Sequence, residues 1–301
     1  MKRVLSLLVL MALLCTALIG CKDPEPVNTE KTYSLVVVTD SSVKNNKVSN
    51  VGLALVIDAD NKIVAARFDN SEVTPTVEEG ALVNVPSITS KVEQGDSYGG
   101  GTAEKPAMKA GSFAKQTKAF EDAIVGKTAD EVANLDMALV AGCTMASTTP
   151  IFKSLVAKAF AYERKVTFKT SETVTVGFAI DMAVKGSKVS ADLAGVAMAG
   201  GKVVACAIDS VEQAFTVEAD APVGPTTAAV SKNEQGDDYK MPAGPWYKQA
   251  QAFANSAVGK TAAELANLET VSDALAAAGC TMKNTTAGYK ATIISAASYA
   301  R

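Results

Sequence analysis

An internal repeat is the strongest constraint on how this chain can fold. Short segments of the first half return in the second half in the same order and at a nearly constant offset. The clearest pairs are residues 126–135 with 259–268, 93–98 with 234–239, 141–145 with 278–282, and 47–49 with 188–190. A repeat of this length exceeds a solenoid unit and is long enough to bury a core of its own. The sequence therefore predicts two homologous tandem domains, 32–165 and 166–301.

Within each copy the hydrophobic pattern changes from strand-like to helical. Runs rich in Val, Leu and Ile predict strands at 32–39, 51–58 and 63–68, and again at 173–180, 193–198 and 203–208. Helical patterns follow at 113–125, 128–134 and 149–162, and again at 246–258, 261–267 and 286–300. This order predicts an α+β class in which each domain is an antiparallel β-hairpin sheet packed with C-terminal helices.

The first residues have the pattern of an export signal. Lys2 and Arg3 precede an apolar run at 4–19, and Gly20-Cys21 follows it as in a bacterial lipobox. We expect a signal peptide at 1–20, lipidation of Cys21 and a polar tether at 21–31, and therefore a membrane-anchored protein on the extracytoplasmic face. The alternative is an ordinary signal peptide that happens to precede a cysteine.

Composition excludes several kinds of chemistry. The 301 residues include no histidine, which removes Ser-His-Asp and Cys-His catalysis and every His-ligated metal site. The net charge of −3 gives no basic excess for binding nucleic acid. Of five cysteines, only Cys143, Cys206 and Cys280 lie beyond the signal and lipobox, and no CxxC pair occurs. We therefore expect neither a metal site nor a complete disulfide framework.

The repeated Ala-Gly-Cys-Thr-Met segment is the strongest candidate site. A small-residue turn that opens a helix exposes backbone N–H groups in the arrangement that holds a phosphate. Two interpretations of Cys143 and Cys280 stay open: a small structural residue, or a redox thiol whose pKa a helix N-terminus lowers. The Gly-Lys-Thr triplets do not form a phosphate loop, because Glu121 and Ala254 replace its first glycine.

This segment resembles the Ser-Gly-Ala-Thr turn of the FMN-binding domain family, found in sodium-pumping and Rnf-type electron-transfer complexes and in extracellular electron-transfer lipoproteins. The hairpin turn at 60–63 also resembles that family. The resemblance implies that a flavin transferase esterifies the threonine to the FMN phosphate. By position, the acceptors are Thr144 and Thr281, the family's glycine is Gly142 and Gly279, and its alanine is Cys143 and Cys280.

The resemblance implies an electron carrier rather than a catalyst. Two flavins, bound covalently or non-covalently, would exchange electrons with a membrane quinone or NADH oxidoreductase. Ala141 and Ala278 replace the family's leading serine, and this keeps a second interpretation open. In that interpretation the chain is a non-enzymatic lipoprotein that binds a small molecule or wall component and has lost flavin attachment. A third is a thiol redox protein that uses Cys143 and Cys280.

Overall fold

The computed structural model describes residues 29–101 and 107–301. The predicted signal peptide, the lipidation site at Cys21 and most of the tether lie outside these residues. Residues Lys31–Arg301 form one compact unit. None of the helices described within it has the length and apolar character needed to cross a bilayer.

In the described part of the chain, fourteen strands form two four-stranded sheets and three small hairpins. The strands are β1 Lys31–Lys44, β2 Lys47–Asp58, β3 Ile63–Val73, β4 Val77–Glu78, β5 Ala81–Leu82, β6 Val85–Ile88, β7 Val166–Thr170, β8 Val174–Lys185, β9 Lys188–Ala199, β10 Lys202–Ala214, β11 Thr216–Glu218, β12 Ala221–Val223, β13 Lys240–Met241 and β14 Gly244–Pro245. The first sheet has the order β3-β2-β1-β7 and the second β10-β9-β8-β6. All pairings are antiparallel, which confirms the α+β class.

The long strands extend several residues beyond the predicted ones. Asn45 and Asn46 have φ of 51° and 61° and make the tight turn from β1 to β2. Two consecutive residues with positive φ are typical of the hairpin turn that matches strand twist, and asparagine tolerates this conformation. The sequence patterns missed this hairpin because polar residues line both strands near the turn.

The helices cover the outer faces of the two sheets. They are α1 Phe113–Ile124, α2 Ala129–Ala133, α3 Thr149–Ala161, α4 Lys232–Gln235, α5 Trp246–Asn255, α6 Asp273–Ala277 and α7 Thr286–Ser298. Thr128 and Glu131 form the predicted capping box at the start of α2. The predicted helix at 261–267 is wrong: the chain forms only a 3₁₀ turn over Glu264–Asn267, although Thr261 and Glu264 make the same reciprocal hydrogen bonds.

The inner faces of the two sheets share one core. Leu35 and Val37 of β1 pack with Phe178 and Ile180 of β8, while the alternate residues Val36 and Val38 face α1 and α3. A similar cluster lies between β8–β10 and α5 and α7. The molecule is therefore a four-layer helix, sheet, sheet, helix arrangement.

The two copies also exchange edge strands. β7, which begins the second copy, pairs with β1 of the first sheet, and β6, from the first copy, pairs with β8 of the second sheet. Separate tandem domains are not confirmed, because the central core and both sheets contain residues of both copies. We call residues 31–165 the first half and residues 166–301 the second half.

Candidate functional site

Along the chain, the repeated turn lies between α2 and α3 in the first half, and its equivalent lies between α6 and α7 in the second half. Gly142 and Gly279 have φ of 83° and 97°, a left-handed conformation that favours glycine. α3 and α7 begin at Thr149 and Thr286, as the sequence predicted, so the turn itself does not form the N-terminus of either helix. The left-handed backbone conformation therefore explains the two glycines. The N-termini of α3 and α7 lie several residues beyond the turn.

A buried glutamine holds each candidate acceptor threonine. Thr144 donates both its backbone N–H and its Oγ1 hydroxyl to Gln116 Oε1, at 2.8 and 3.0 Å. Thr281 makes the same two bonds to Gln249 Oε1, at 3.0 and 2.8 Å. Both glutamines are almost wholly buried, whereas both threonines are exposed. Each threonine therefore presents a hydroxyl of fixed orientation at the surface.

The same glutamines also tie the turn to the start of the preceding helix. Gln116 Nε2 donates to Gly111 O at 2.8 Å and Gln249 Nε2 donates to Gly244 O at 3.1 Å. The sequence patterns gave these glutamines no role. The one sequence signal for a role was that each copy has a glutamine at this position, directly after Lys115 or Lys248.

Most backbone N–H groups of the turn are already used within the protein. Cys143 N donates to Val140 O at 3.3 Å, and Ala146 N donates to Thr144 O at 2.9 Å. In the second half Cys280 N donates to Leu275 O at 2.8 Å. A phosphate cradle needs several convergent and unpaired N–H groups. The geometry therefore gives no support to non-covalent phosphate binding by the turn.

The cysteines of the turn point inward. Cys143 and Cys280 are each only 4% exposed, and both are free thiols. Burial raises the pKa of both thiols, against a smaller opposite effect from the backbone N–H of the Met two residues on. Cys206 is fully buried in β10, and burial raises its pKa to about 12. The geometry thus favours the structural interpretation of these cysteines over a reactive thiol.

A cavity of about 620 Å³ lies beside the turn of the second half. Thr281 lines it together with the start of α6 and Lys283. This volume lies within the usual range for small-molecule pockets. Lys283 and Asp273 are both part of its lining and give it one positive and one negative charge.

A second repeated cluster surrounds the buried Asp69 and Asp209, and the sequence patterns did not predict it. Asp69 on β3 accepts hydrogen bonds from Ser90 Oγ at 2.6 Å and from the backbone of Asn70 and Val92. Asp209, at the equivalent place on β10, accepts from the backbone of Ser210 and Asn233. Each carboxylate anchors the loop that leads to the outer helices, which is a structural role shared by both halves.

Burial raises the pKa of both Asp69 and Asp209 to about 7, only partly opposed by these hydrogen bonds. An unfolded aspartate has a pKa of about 3.9, so between about pH 4 and 7 the folded chain holds protons that the unfolded chain releases. The free energy of unfolding should therefore fall as pH rises through this window, by up to about 1.4 kcal/mol per pH unit for each group.

Denaturant titrations at pH 4 to 7 (about one unit apart) measure this slope. The double variant Asp69→Asn/Asp209→Asn should reduce it to the part that Asp192 contributes, because burial raises the pKa of Asp192 to about 6 as well. Asp60→Asn, at an exposed turn, should leave the slope unchanged. An equal slope in the parent and the double variant would show that these carboxyls do not carry the effect.

Comparison with protein-family models, with curated proteins and with solved structures gives no match to this chain. Among residues 29–101 and 107–301, no group of three Cys, Asp or Glu side chains is placed to hold a metal ion. The most informative comparison is between the two halves of the molecule. Both halves keep the turn, its exposed threonine and its buried glutamine.

Proposed function

We propose that this protein is a membrane-anchored carrier of covalently attached FMN, with Thr144 and Thr281 as the two acceptors. One observation carries the proposal: an exposed threonine hydroxyl, held by a buried glutamine, occurs with the same geometry in both halves. The turn resembles that of flavinylated domains, and this resemblance is why FMN is proposed as the attached group. The anchor rests on the lipobox pattern at Cys21.

The hydrogen-bond pattern suits a covalent acceptor better than a phosphate cradle. Each Thr Oγ1 directs its proton to a buried glutamine oxygen, which leaves the lone pairs of the hydroxyl oxygen for the FMN phosphorus of FAD. As the Oγ1–P bond forms, the pyrophosphate bond of FAD breaks, AMP leaves and the hydroxyl proton is released. The threonines are exposed, so a separate flavin transferase can reach them. Most backbone N–H groups of the turn are paired, so a phosphoester bond rather than the amides would retain the group.

The cavity beside Thr281 fits a group attached there. Lys283 can pair with phosphate oxygens, and the volume of about 620 Å³ is of the size that holds a cofactor ring. When bound, the isoalloxazine supplies the redox chemistry, and the protein positions it. The natural electron donor in this proposal is a membrane quinone or NADH oxidoreductase, reached from the lipid anchor.

Intact mass spectrometry tests this proposal directly. The full chain is co-expressed with a flavin transferase in a host that exports it and supplies FAD. We expect two additions of FMN phosphoester mass, one lost in Thr144→Ala and the other lost in Thr281→Ala. Thr148→Ala and Thr285→Ala are matched controls, because these nearby threonines make no side-chain capping bond, and both should keep two additions.

A bare mass in the parent chain, with active transferase confirmed on a known substrate, contradicts the proposal. The same holds if the additions survive in the double variant Thr144→Ala/Thr281→Ala. Either result would favour the interpretation of a binding lipoprotein without attached flavin.

A further inference from the structure

The halves differ where the residues that follow the last helix of one half pack against the other half. On the first half, the residues that follow α7 close this place with a buried ion-pair cluster. Arg67 Nη1 and Arg301 Nη2 contact Glu121 Oε2 at 2.7 and 2.8 Å. Arg67 also donates from Nε and Nη2 to Tyr299 O at 3.2 and 3.0 Å. Arg67 and Glu121 are almost wholly buried.

The second half keeps only part of this cluster. Tyr162 and Arg164 follow α3 just as Tyr299 and Arg301 follow α7. Ala207 on β10 stands at the position of Arg67 on β3, two residues before the buried aspartate of each strand. Ala254 on α5 stands at the position of Glu121 on α1, five residues after the buried glutamine. An arginine is therefore retained where its carboxylate partner has been replaced by alanine.

A cavity of about 650 Å³ lies at this place in the second half. Its apolar lining includes Val37, Val166, Ala207 and Ala252, and its edge includes Tyr162 and Tyr247. Ala207, at the position of Arg67, lines this cavity, and Ala254, at the position of Glu121, is wholly buried next to α5 residues that line it.

The charged residues of the cavity lining are all cations. They are Arg164, Lys165 and Lys248. None of the three forms an ion pair with any carboxylate of the residues that the structure describes. Arg164 donates to the carbonyl oxygen of Asn233 at 3.0 Å and stacks over the ring of Tyr247 at 4.6 Å. Cations gathered in a cleft with apolar walls concentrate anions there, even in a chain of net negative charge.

Tyr162 is part of the cavity lining, beside Arg164. Its Oη is buried, and burial raises the pKa of this phenol, an effect that the neighbouring Arg164 guanidinium partly opposes. The hydroxyl therefore stays protonated next to Arg164, and the ring rather than the hydroxyl borders the cavity.

We propose that this cavity binds a small organic anion with a compact apolar body. The anionic group binds the Arg164 guanidinium as the Glu121 carboxylate binds the Arg301 guanidinium. Planar guanidinium groups bind carboxylate and phosphate in the same two-pronged geometry, so both are candidates for the anionic group. The body of the ligand packs against the alanine and valine side chains. The site is independent of flavin attachment at Thr144 and Thr281.

Isothermal titration calorimetry of the full chain with simple probes tests the chemistry. Benzoate and phenyl phosphate carry the anion on a compact ring, and benzamide is their uncharged counterpart. We expect one site for benzoate or phenyl phosphate, with the tighter of the two identifying the anionic group, and no measurable binding of benzamide. Arg164→Gln should weaken binding at least tenfold. Lys248→Gln should weaken it less, and Lys115→Gln, the equivalent change in the first half, should have no effect.

Rebuilding the ion-pair cluster of the first half provides an independent test. Ala207→Arg/Ala254→Glu gives Arg164 an internal carboxylate partner and fills the cavity, so the probes should no longer bind while the chain remains folded. Thr144→Ala/Thr281→Ala should bind them as the parent does, which separates this site from flavin attachment. The proposal is overturned if the parent does not bind either anion, if benzamide binds equally well, or if folded Arg164→Gln keeps the parent affinity.

Discussion

Replacing Glu121 with glutamine should lower the free energy of unfolding by about 3–5 kcal/mol, the cost of breaking a buried ion pair by removing one partner. Glu121 is the only carboxylate that pairs with Arg67 or Arg301 in the described part of the chain. It also accepts the backbone N–H of Phe68 at 2.8 Å. The variant would therefore leave the buried Arg67 guanidinium without a counter-charge between the first sheet, α1 and the C-terminal residues.

The same helix offers a matched control. Lys118 and Asp122 form an exposed ion pair one turn apart on α1, and such pairs contribute about 0.5 kcal/mol or less. Asp122→Asn should therefore shift the denaturant midpoint only slightly. Urea unfolding of the two variants and the parent makes the comparison. A loss below about 1 kcal/mol in Glu121→Gln would mean that the cluster is too well hydrated to act as a buried pair.

The repeat and the hydrophobic patterns were sufficient to predict the α+β class, the β2–β3 and β9–β10 hairpins and most of the helices. They could not show which surface covers the inner face of each sheet. Residues 35–38 are apolar without a break, which indicates a strand buried on both faces. In a single copy, helices cover one face of the sheet and nothing covers the other face. The cover is the second copy, and this pairing depends on contacts between residues far apart in sequence.

The candidate turn was located from the sequence, but the groups that define its chemistry were not. Gln116 and Gln249 act through hydrogen bonds to a turn about thirty residues further along the chain, and such a partner leaves no local spacing signal. The sequence pattern marked Glu121 only as the residue that replaces the first glycine of a phosphate loop. Its importance follows from Arg67 and Arg301, which reach it from two other parts of the chain.

Duplication explains why the halves conserve some features and differ in others. The turn, the buried glutamine and the buried aspartate each satisfy hydrogen bonds inside one half, so both copies need them. The Arg67–Glu121–Arg301 cluster instead joins the first half to the end of the second half, and one such connection can hold the two layers together. The equivalent positions of the second half are Ala207 and Ala254, and Ala207 lines a cavity there.

Gly177→Ala should destabilise the fold by about 3 kcal/mol, at the upper end of what an extra methyl group costs in a packed core. Gly177 lies on β8 where α7 crosses the second sheet. A Cβ atom there would lie 1.8 Å from the carbonyl oxygen of Ala296 and 3.0 Å from the backbone nitrogen of Ala300. Both neighbours are backbone atoms, so no side-chain rotation relieves the contact, and α7 would have to move away from the sheet. That movement would expose Ile293 and Ala296 of the outer core.

Gly288→Ala on α7 is the matched control for this prediction. A Cβ at Gly288 would meet only the tip of the Asp192 side chain, at 3.3 Å, and alanine favours the helix by up to about 1 kcal/mol over glycine. Its thermal midpoint should equal or slightly exceed that of the parent, while that of Gly177→Ala falls by several degrees. Equal midpoints for both variants would mean that α7 is not held at backbone contact with β8, and that the outer layer of the second half packs more loosely than these distances require.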